Sequence, residues 1–260
     1  MAISERSVEI GVGGVQLVGA FYFPNQPGEH PVIIVCHGMP AGPQSTSGAE
    51  PQSDDGVTYP DFATVCAERG VAALIFNFRG TGESGGNFHA MGWAEDLRAM
   101  VDWAAVQPEA RPDRIGVLGS SMGASVALHV AATDPRIAAI ISFAAPASMG
   151  TSGNPEDMVR RMRATGIIRD SSFPPSIDEW YREFTDLNAL AAIPAISPRR
   201  VVLIQGDVDD VVPPGDARLL FDRAGDPKDL VILPGVGHRF RREPMAVETC
   251  LDWIETTLLD

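Results

Sequence analysis

The chain has only three cysteines in 260 residues: Cys36, Cys66 and Cys250. They are odd in number and widely spaced, and none forms C-x-x-C. Neither a disulfide framework nor a redox motif is expected. Their spacing from the histidines gives no metal-ligand set. The pattern suits reduced core thiols in a cytoplasmic protein. No apolar run approaches the length that spans a bilayer. The start, MAISERSVEIGVGG, lacks a basic n-region, an apolar h-region and a small-residue cleavage site, so no secretory leader is expected. Positive charge is scarce, with 20 Lys and Arg against 34 Asp and Glu, a formal net charge of -14. Such a surface repels phosphate backbones and anionic membranes, which argues against both as partners. The glycine-rich loop at 80–86 has no lysine for a P-loop and is not read as a dinucleotide turn. No metal or organic cofactor is expected.

What remains is an ordinary globular balance, 45% hydrophobic and 21% charged, enough for a large core in one α/β domain. Val8–Val12 and Val15–Phe23, joined at Gly13-Gly14, read as a hairpin. From residue 30 onward, short apolar strands alternate with helical segments. The strands are PVIIVCHG (31–38), VAALIFNF (71–78), RIGVLG (114–119), IAAIISFAA (137–145), VVLIQG (201–206) and LVILPG (230–235). The helices are Tyr59–Arg69, Trp93–Val106, Ala124–Ala132 and, closing the series, about Pro244–Leu258. Trp93, Leu97, Met100, Val101 and Ala104 share one helical face. This alternation predicts a parallel sheet with helices on both faces. A long loop from Met39 to about Thr58 interrupts it. A second break, residues 146–199, carries helices around Asp157–Ala164 and Ile177–Phe184. It reads as a small cap inserted in a single domain of residues 1–260, too short for its own core.

G-x-S-x-G occurs twice, as Gly119-Ser120-Ser121-Met122-Gly123 and as Gly82-Glu83-Ser84-Gly85-Gly86. A chance match somewhere in such a chain is roughly a one-in-six event, so context must choose. A serine nucleophile needs a strand that ends abruptly, one exposed serine, and a helix that begins at once. Ser121 meets all three conditions. Ser84 sits several residues beyond its strand, and Gly85-Gly86-Asn87 starts a helix poorly. Ser120 and Ser125 do not stand between the glycines. A serine hydroxyl also needs a base and an orienting acid. Of the five histidines, only His238 follows a late strand. His129 lies within a helix, His30 precedes a strand, and His89 is a loop residue near the site. Asp207, Asp209 and Asp210 leave another strand end, giving the order Ser, Asp, His. The oxyanion of an acyl-transfer intermediate needs two backbone donors. Met122, directly after the serine, offers one. Met39 offers the other, because Gly38 allows a close approach and Pro40 has no N–H. His37 is expected to hold that loop.

CHGMP (36–40), NFRGTGESGG (77–86), GSSMG (119–123), GDVDDVVP (206–213) and GVGH (235–238) together resemble the α/β-hydrolase superfamily. The likeness runs from about residue 31 to the end. It is greatest to the bacterial esterase and serine-aminopeptidase-like branch, near dienelactone-hydrolase-like and cinnamoyl-esterase-like enzymes. The resemblance implies the α/β-hydrolase fold, with Ser121 as nucleophile and His238 as base. The family pattern G-x-x-D-x-x-V-P selects Asp209 as the acid. The family's Arg-Gly-x-Gly-x-Ser loop falls on Arg79–Ser84, where Arg79 and Ser84 are structural. Two positions depart from the pattern: Asn77 stands where relatives often have Asp, and the loop after His37 is long enough to lid the pocket. A serine at the elbow disfavours the cysteine and aspartate chemistries of other branches. The implied activity is hydrolysis of a small-molecule carboxylic ester through an acyl-enzyme. A peptidase or amidase, an acyltransferase and a non-catalytic binding protein are the alternatives. Cap residues Met149, Met158, Met162, Phe173, Trp180 and Phe184 either wall the substrate pocket or pack the cap on the body. The acids Glu156, Asp157, Asp178, Glu179 and Glu183 either hold a substrate ammonium or are solvated. The oligomeric state is open, a homodimer among the options.

Overall fold

A computed structural model describes residues 2–40, 56–149 and 153–259. The hairpin extends further than its apolar core, as β1 (Ile3–Val12) and β2 (Val15–Pro24). Gly13 and Gly14 turn it at φ of 57° and 82°, a region glycine enters without steric cost. β3 (His30–Cys36), α1 (Tyr59–Glu68), β4 (Ala72–Phe76) and α2 (Ala90–Ala104) follow. Then come β5 (Ala110–Ser120), α3 (Met122–Ala131) and β6 (Ile137–Phe143). The segment before the next strand holds α4 (Pro155–Ala164), α5 (Ile177–Asp186), α6 (Ala189–Ala192) and a 3₁₀ turn at Ile193–Ile196. β7 (Arg200–Gly206), α7 (Pro214–Arg223), β8 (Lys228–Leu233) and α8 (Pro244–Leu258) close the described chain.

The strands form one eight-stranded sheet in the order β1-β2-β4-β3-β5-β6-β7-β8. Only the pairings of β2 with β1 and with β4 are antiparallel. Side chains alternate across the sheet, so each central strand feeds two cores. Val32, Ile34 and Cys36 pack with α2 and α3 on one face. Ile33 and Val35 pack with α1 and α8 on the other. Trp93, Leu97, Met100, Val101 and Ala104 are all fully buried, as their spacing predicts. No helix among the described residues is long and apolar enough to cross a membrane.

Other elements also differ from the sequence expectation. α2 starts at Ala90 because His89 caps it, its ring 3.1 Å from the Gly92 amide. β5 starts at Ala110 because a register shift after the His30–Ala110 pair accommodates Pro112, which has no N–H to give a ladder. α3 starts at Met122 rather than Ala124, directly after Ser121. α7 lies outside the expectation altogether: its ten residues bury only Ala217 and Leu220, too few to show a periodic face.

Between β6 and β7, Trp180 and Phe184 are buried against Phe88, with the Trp180 indole donating to the Phe88 carbonyl at 3.0 Å. Val159, Ile167 and Ile168 join the same core. For Trp180 and Phe184, packing of the segment on the body is the role the contacts give. The chain enters this segment through Ala144, a non-glycine residue at φ 52° whose amide donates to the Ile204 carbonyl.

Candidate active site

Ser121 stands between the last residue of β5 and the first of α3, at φ 54° and ψ −123°. A serine in that region is strained, and surrounding contacts must hold it there. Its own amide donates to the Phe143 carbonyl at 2.9 Å. The flanking glycines are demanded by backbone crowding. A Cβ on Gly119 would lie 2.4 Å from Ala124 Cα, and one on Gly123 would lie 2.4 Å from the Cys36 and His37 carbonyls. Strand, turn and helix therefore close on one another only without side chains at those two positions.

Two loops deliver the partners. The loop after β7 carries Asp209, and the loop after β8 carries His238. They are tied to each other: the Asp207 amide donates to Leu233 and the Val208 amide to Val236. Asp207 itself accepts from the Gly235 amide at 2.6 Å, so it braces the loops and does not face the histidine. Asp210 is exposed. Asp209 is the acid that turns inward. Its Oδ1 accepts from the Val211 and Val212 amides at 2.9 and 2.8 Å. Its Oδ2 accepts from Gln205 Nε2 at 2.9 Å and from His238 Nδ1 at 2.8 Å. His238 Nε2 lies 3.0 Å from Ser121 Oγ. A carboxylate can only accept, so the network assigns the proton to Nδ1 and leaves Nε2 free to receive one. The Asp209 side chain is fully buried and that of His238 is 15% exposed. The carboxylate thus acts on the imidazole with little screening by water.

Met122 is the first residue of α3, where a helix amide has no carbonyl behind it. Met39 follows Gly38, and a Cβ on Gly38 would lie 3.0 Å from Ser121 Cβ. His37 fixes this loop. Its Nδ1 donates to the Gly38 carbonyl at 2.8 Å, and its Nε2 accepts from the Phe78 amide at 3.3 Å. In a trans peptide the N–H opposes the C=O, so pinning the Gly38 carbonyl also sets the direction of the Met39 N–H. Loss of hydration lowers the His37 pKa from 6.5 to about 4, which keeps the ring neutral. The loop expected to lid the pocket lies mostly outside the described residues.

The rival residues are placed elsewhere. Ser84 is fully buried, accepting from the Val18 amide and donating to the Asn77 carbonyl. Ser125 donates to the Pro146 carbonyl. His89 lies between Arg79 and the Glu183 carboxylate, at 2.8 and 3.0 Å. His129 is on α3, and His30 opens β3 at the far end of the strand. Gly80, Gly82 and Gly85 do have the spacing of G-x-G-x-x-G, yet α2 begins only at Ala90, and Arg169 occupies the Ser84 and Gly82 carbonyls. Among the cap acids, Glu183 is committed to His89 and the Met91 amide, while Glu156, Asp178 and Glu179 are exposed and Asp157 pairs with Arg160. The three thiols are buried and unbonded, and burial pushes Cys66 up to about 12. Gln205 is the residue that sequence reading passes over. A single polar residue in the run VVLIQG is the available signal.

The sequence pattern of the X-Pro dipeptidyl-peptidase (S15) family matches residues 13–176. The chain belongs to that family. It is an α/β hydrolase, and the matched stretch includes Ser121 but ends before Asp209 and His238. An uncharacterized protein of Mycobacterium tuberculosis is 30% identical to this hydrolase over 236 residues, 90% of this chain and 72% of that one. The polyketide transferase GrgF of Penicillium sp is 26% identical over 238 residues, 75% of this chain and 76% of that one. The GrgF structure superposes with a TM-score of 0.73 at 22% identity, covering 99% of this chain and all of the other. Est1E of Butyrivibrio proteoclasticus, solved with ferulic acid bound, superposes with a TM-score of 0.72 at 20% identity, covering 97% and 98%. At such identities the two structures show the shared fold.

Proposed function

We propose that this α/β hydrolase is a serine hydrolase of carboxylic esters, working through an acyl-enzyme. The observation that carries the reading is the hydrogen-bonded series from Ser121 Oγ to His238 Nε2 and from His238 Nδ1 to Asp209 Oδ2. Ser121 Oγ attacks the ester carbonyl as its proton passes to His238 Nε2. Asp209 holds the imidazole in the required tautomer and stabilises the imidazolium. The amides of Met122 and Met39 receive the oxyanion. Nε2 returns the proton to the leaving alcohol. Water, deprotonated by the same nitrogen, then frees the acid and restores Ser121. The substrate is a small molecule, and the three buried, unbonded thiols support work in the cytoplasm.

The family match supports a second reading, hydrolysis of an aminoacyl or peptide amide. The cap acids speak for the ester, because the described ones are either engaged by partners or turned to solvent. The test is a set of rates on p-nitrophenyl esters of increasing acyl length, a feruloyl ester and an aminoacyl anilide. The ester reading expects the esters to be cleaved at least about 100-fold faster than the anilide. A faster anilide overturns it in favour of the peptidase. Release of p-nitrophenol only when a second alcohol or thiol is supplied, with the acyl group recovered on that acceptor as an ester or thioester, overturns it in favour of acyl transfer, the chemistry of the GrgF relative's name.

A further inference from the structure

Gln205 is the penultimate residue of β7, next to a run of aliphatic residues, and its side chain is fully buried. Three acceptors surround its Nε2: Asp209 Oδ2 at 2.9 Å, the Gly206 carbonyl at 3.3 Å and the Val212 carbonyl at 3.4 Å. None of these can donate in the ionised site, so the amide orientation is fixed with nitrogen toward Asp209. The amide oxygen, Oε1, is buried with no hydrogen-bond partner among the described residues. A buried acceptor left without a donor is costly, and an aliphatic side chain of the same shape would avoid that cost. A purely structural position on this strand would favour Leu or Met. Gln at this place is explained by what its nitrogen does.

We infer that Gln205 is a positioning residue for the reaction, holding Asp209 Oδ2 in line with His238 Nδ1. The proposal rests on the serine-hydrolase reading above. The Val211 and Val212 amides fix only Oδ1. Gln205 is the second anchor, and it donates to the same oxygen that receives the imidazole proton. Without it the carboxylate is free to pivot about its Oδ1 bonds.

The test compares the full-length protein with Gln205→Met, which keeps the length of the side chain and removes the amide. Turnover of a p-nitrophenyl ester should fall about 3- to 10-fold in kcat, with KM unchanged within about 2-fold. The low-field proton NMR signal of the His238 Nδ1 proton, assigned by its loss in His238→Ala, should move upfield as the released carboxylate pivots and its bond to Nδ1 lengthens. An Nδ1 signal that stays in place or moves downfield, or an unchanged kcat, overturns the proposal and leaves Gln205 as core filling. If Gln205→Met fails to fold, Gln205→Leu takes its place under the same criteria. The NMR signal needs no turnover. A wild-type protein with no Ser121-dependent ester hydrolysis would overturn the functional reading, while the signal would still decide whether Gln205 positions Asp209.

Discussion

Two stretches of this chain share the spelling G-x-S-x-G, and their backbones invert one another. At residues 119–123 the serine has positive φ and neither glycine does. The glycines are there because Cβ atoms would strike the backbone of α3 and of the loop after β3. At residues 82–86 the two outer glycines, Gly82 and Gly86, have positive φ, 47° and 74°, and the serine does not. Here glycine serves the turn itself, and Ser84 is free to face inward and join the Val18 amide to the Asn77 carbonyl. The strain that presents one hydroxyl to a histidine is absent from the other. Identical letters thus record different physical demands: close approach to backbone alone in one case, and in the other left-handed turns that also press on the Asn77 and Val15 side chains.

The sharpest way to break this comparison is to exchange the roles. Ser121→Ala should reduce ester turnover by a factor on the order of 10⁴–10⁶ and abolish labelling by a fluorophosphonate probe. Ser84→Ala should still label. Near-normal hydrolysis by Ser121→Ala would undo the distinction. Next in size, Asp209→Asn should lower kcat by about 10³–10⁴, since the amide favours the wrong imidazole tautomer. Asp207→Asn should cost far less activity, because Asp207 contacts the Gly235 amide and not His238.

Stability should follow the second serine and the histidine between the two loops. His37 touches Gly38 on one side and Phe78 and Thr81, at the root of the Ser84 loop, on the other. Its folded pKa of about 4 is below the unfolded value of 6.5. The unfolded chain takes up the proton first as pH falls, so the His37 contribution is complete above about pH 6.5 and shrinks toward pH 4. The loss is at most roughly 3 kcal/mol, from the pKa difference. Denaturant titrations of wild type and His37→Gln at about pH 7 and about pH 4.5, on either side of most of that window, should show the wild type losing more. Parallel losses would remove His37 from the account. Ser84→Ala should then destabilise by about 1–3 kcal/mol, because the Val18 amide and the Asn77 carbonyl lose their partner. The smallest effect is expected at Gly85, where an added Cβ meets nothing nearer than 3.6 Å and φ is not positive. Gly85→Ala should change stability by no more than about 0.5 kcal/mol.

The sheet was legible because its strands are buried on both faces and so appear as unbroken apolar runs, VIIVC and VVLI among them. Helix α7 was not, because a helix that buries two small or medium residues leaves no periodic trace. Ser121 and His238 could be read from their places at strand ends. The choice among Asp207, Asp209 and Asp210 could not be read from spacing alone, since it depends on which carboxylate turns toward the imidazole and which toward the Gly235 amide. Gln205 was invisible for a related reason. Its meaning lies in acceptors that only the folded chain brings around its nitrogen, and no local pattern encodes that.

Neighbouring strands β5 and β6 are both followed directly by left-handed, non-glycine residues, Ser121 and Ala144, and the Ser121 amide is bonded to the carbonyl just before Ala144. Ala144 is in turn fastened to β7 through the Ile204 carbonyl. The chain between β6 and β7 therefore departs from a clamped post. The place of the Ser121 hydroxyl is set, as on a fixed chuck, before that segment begins.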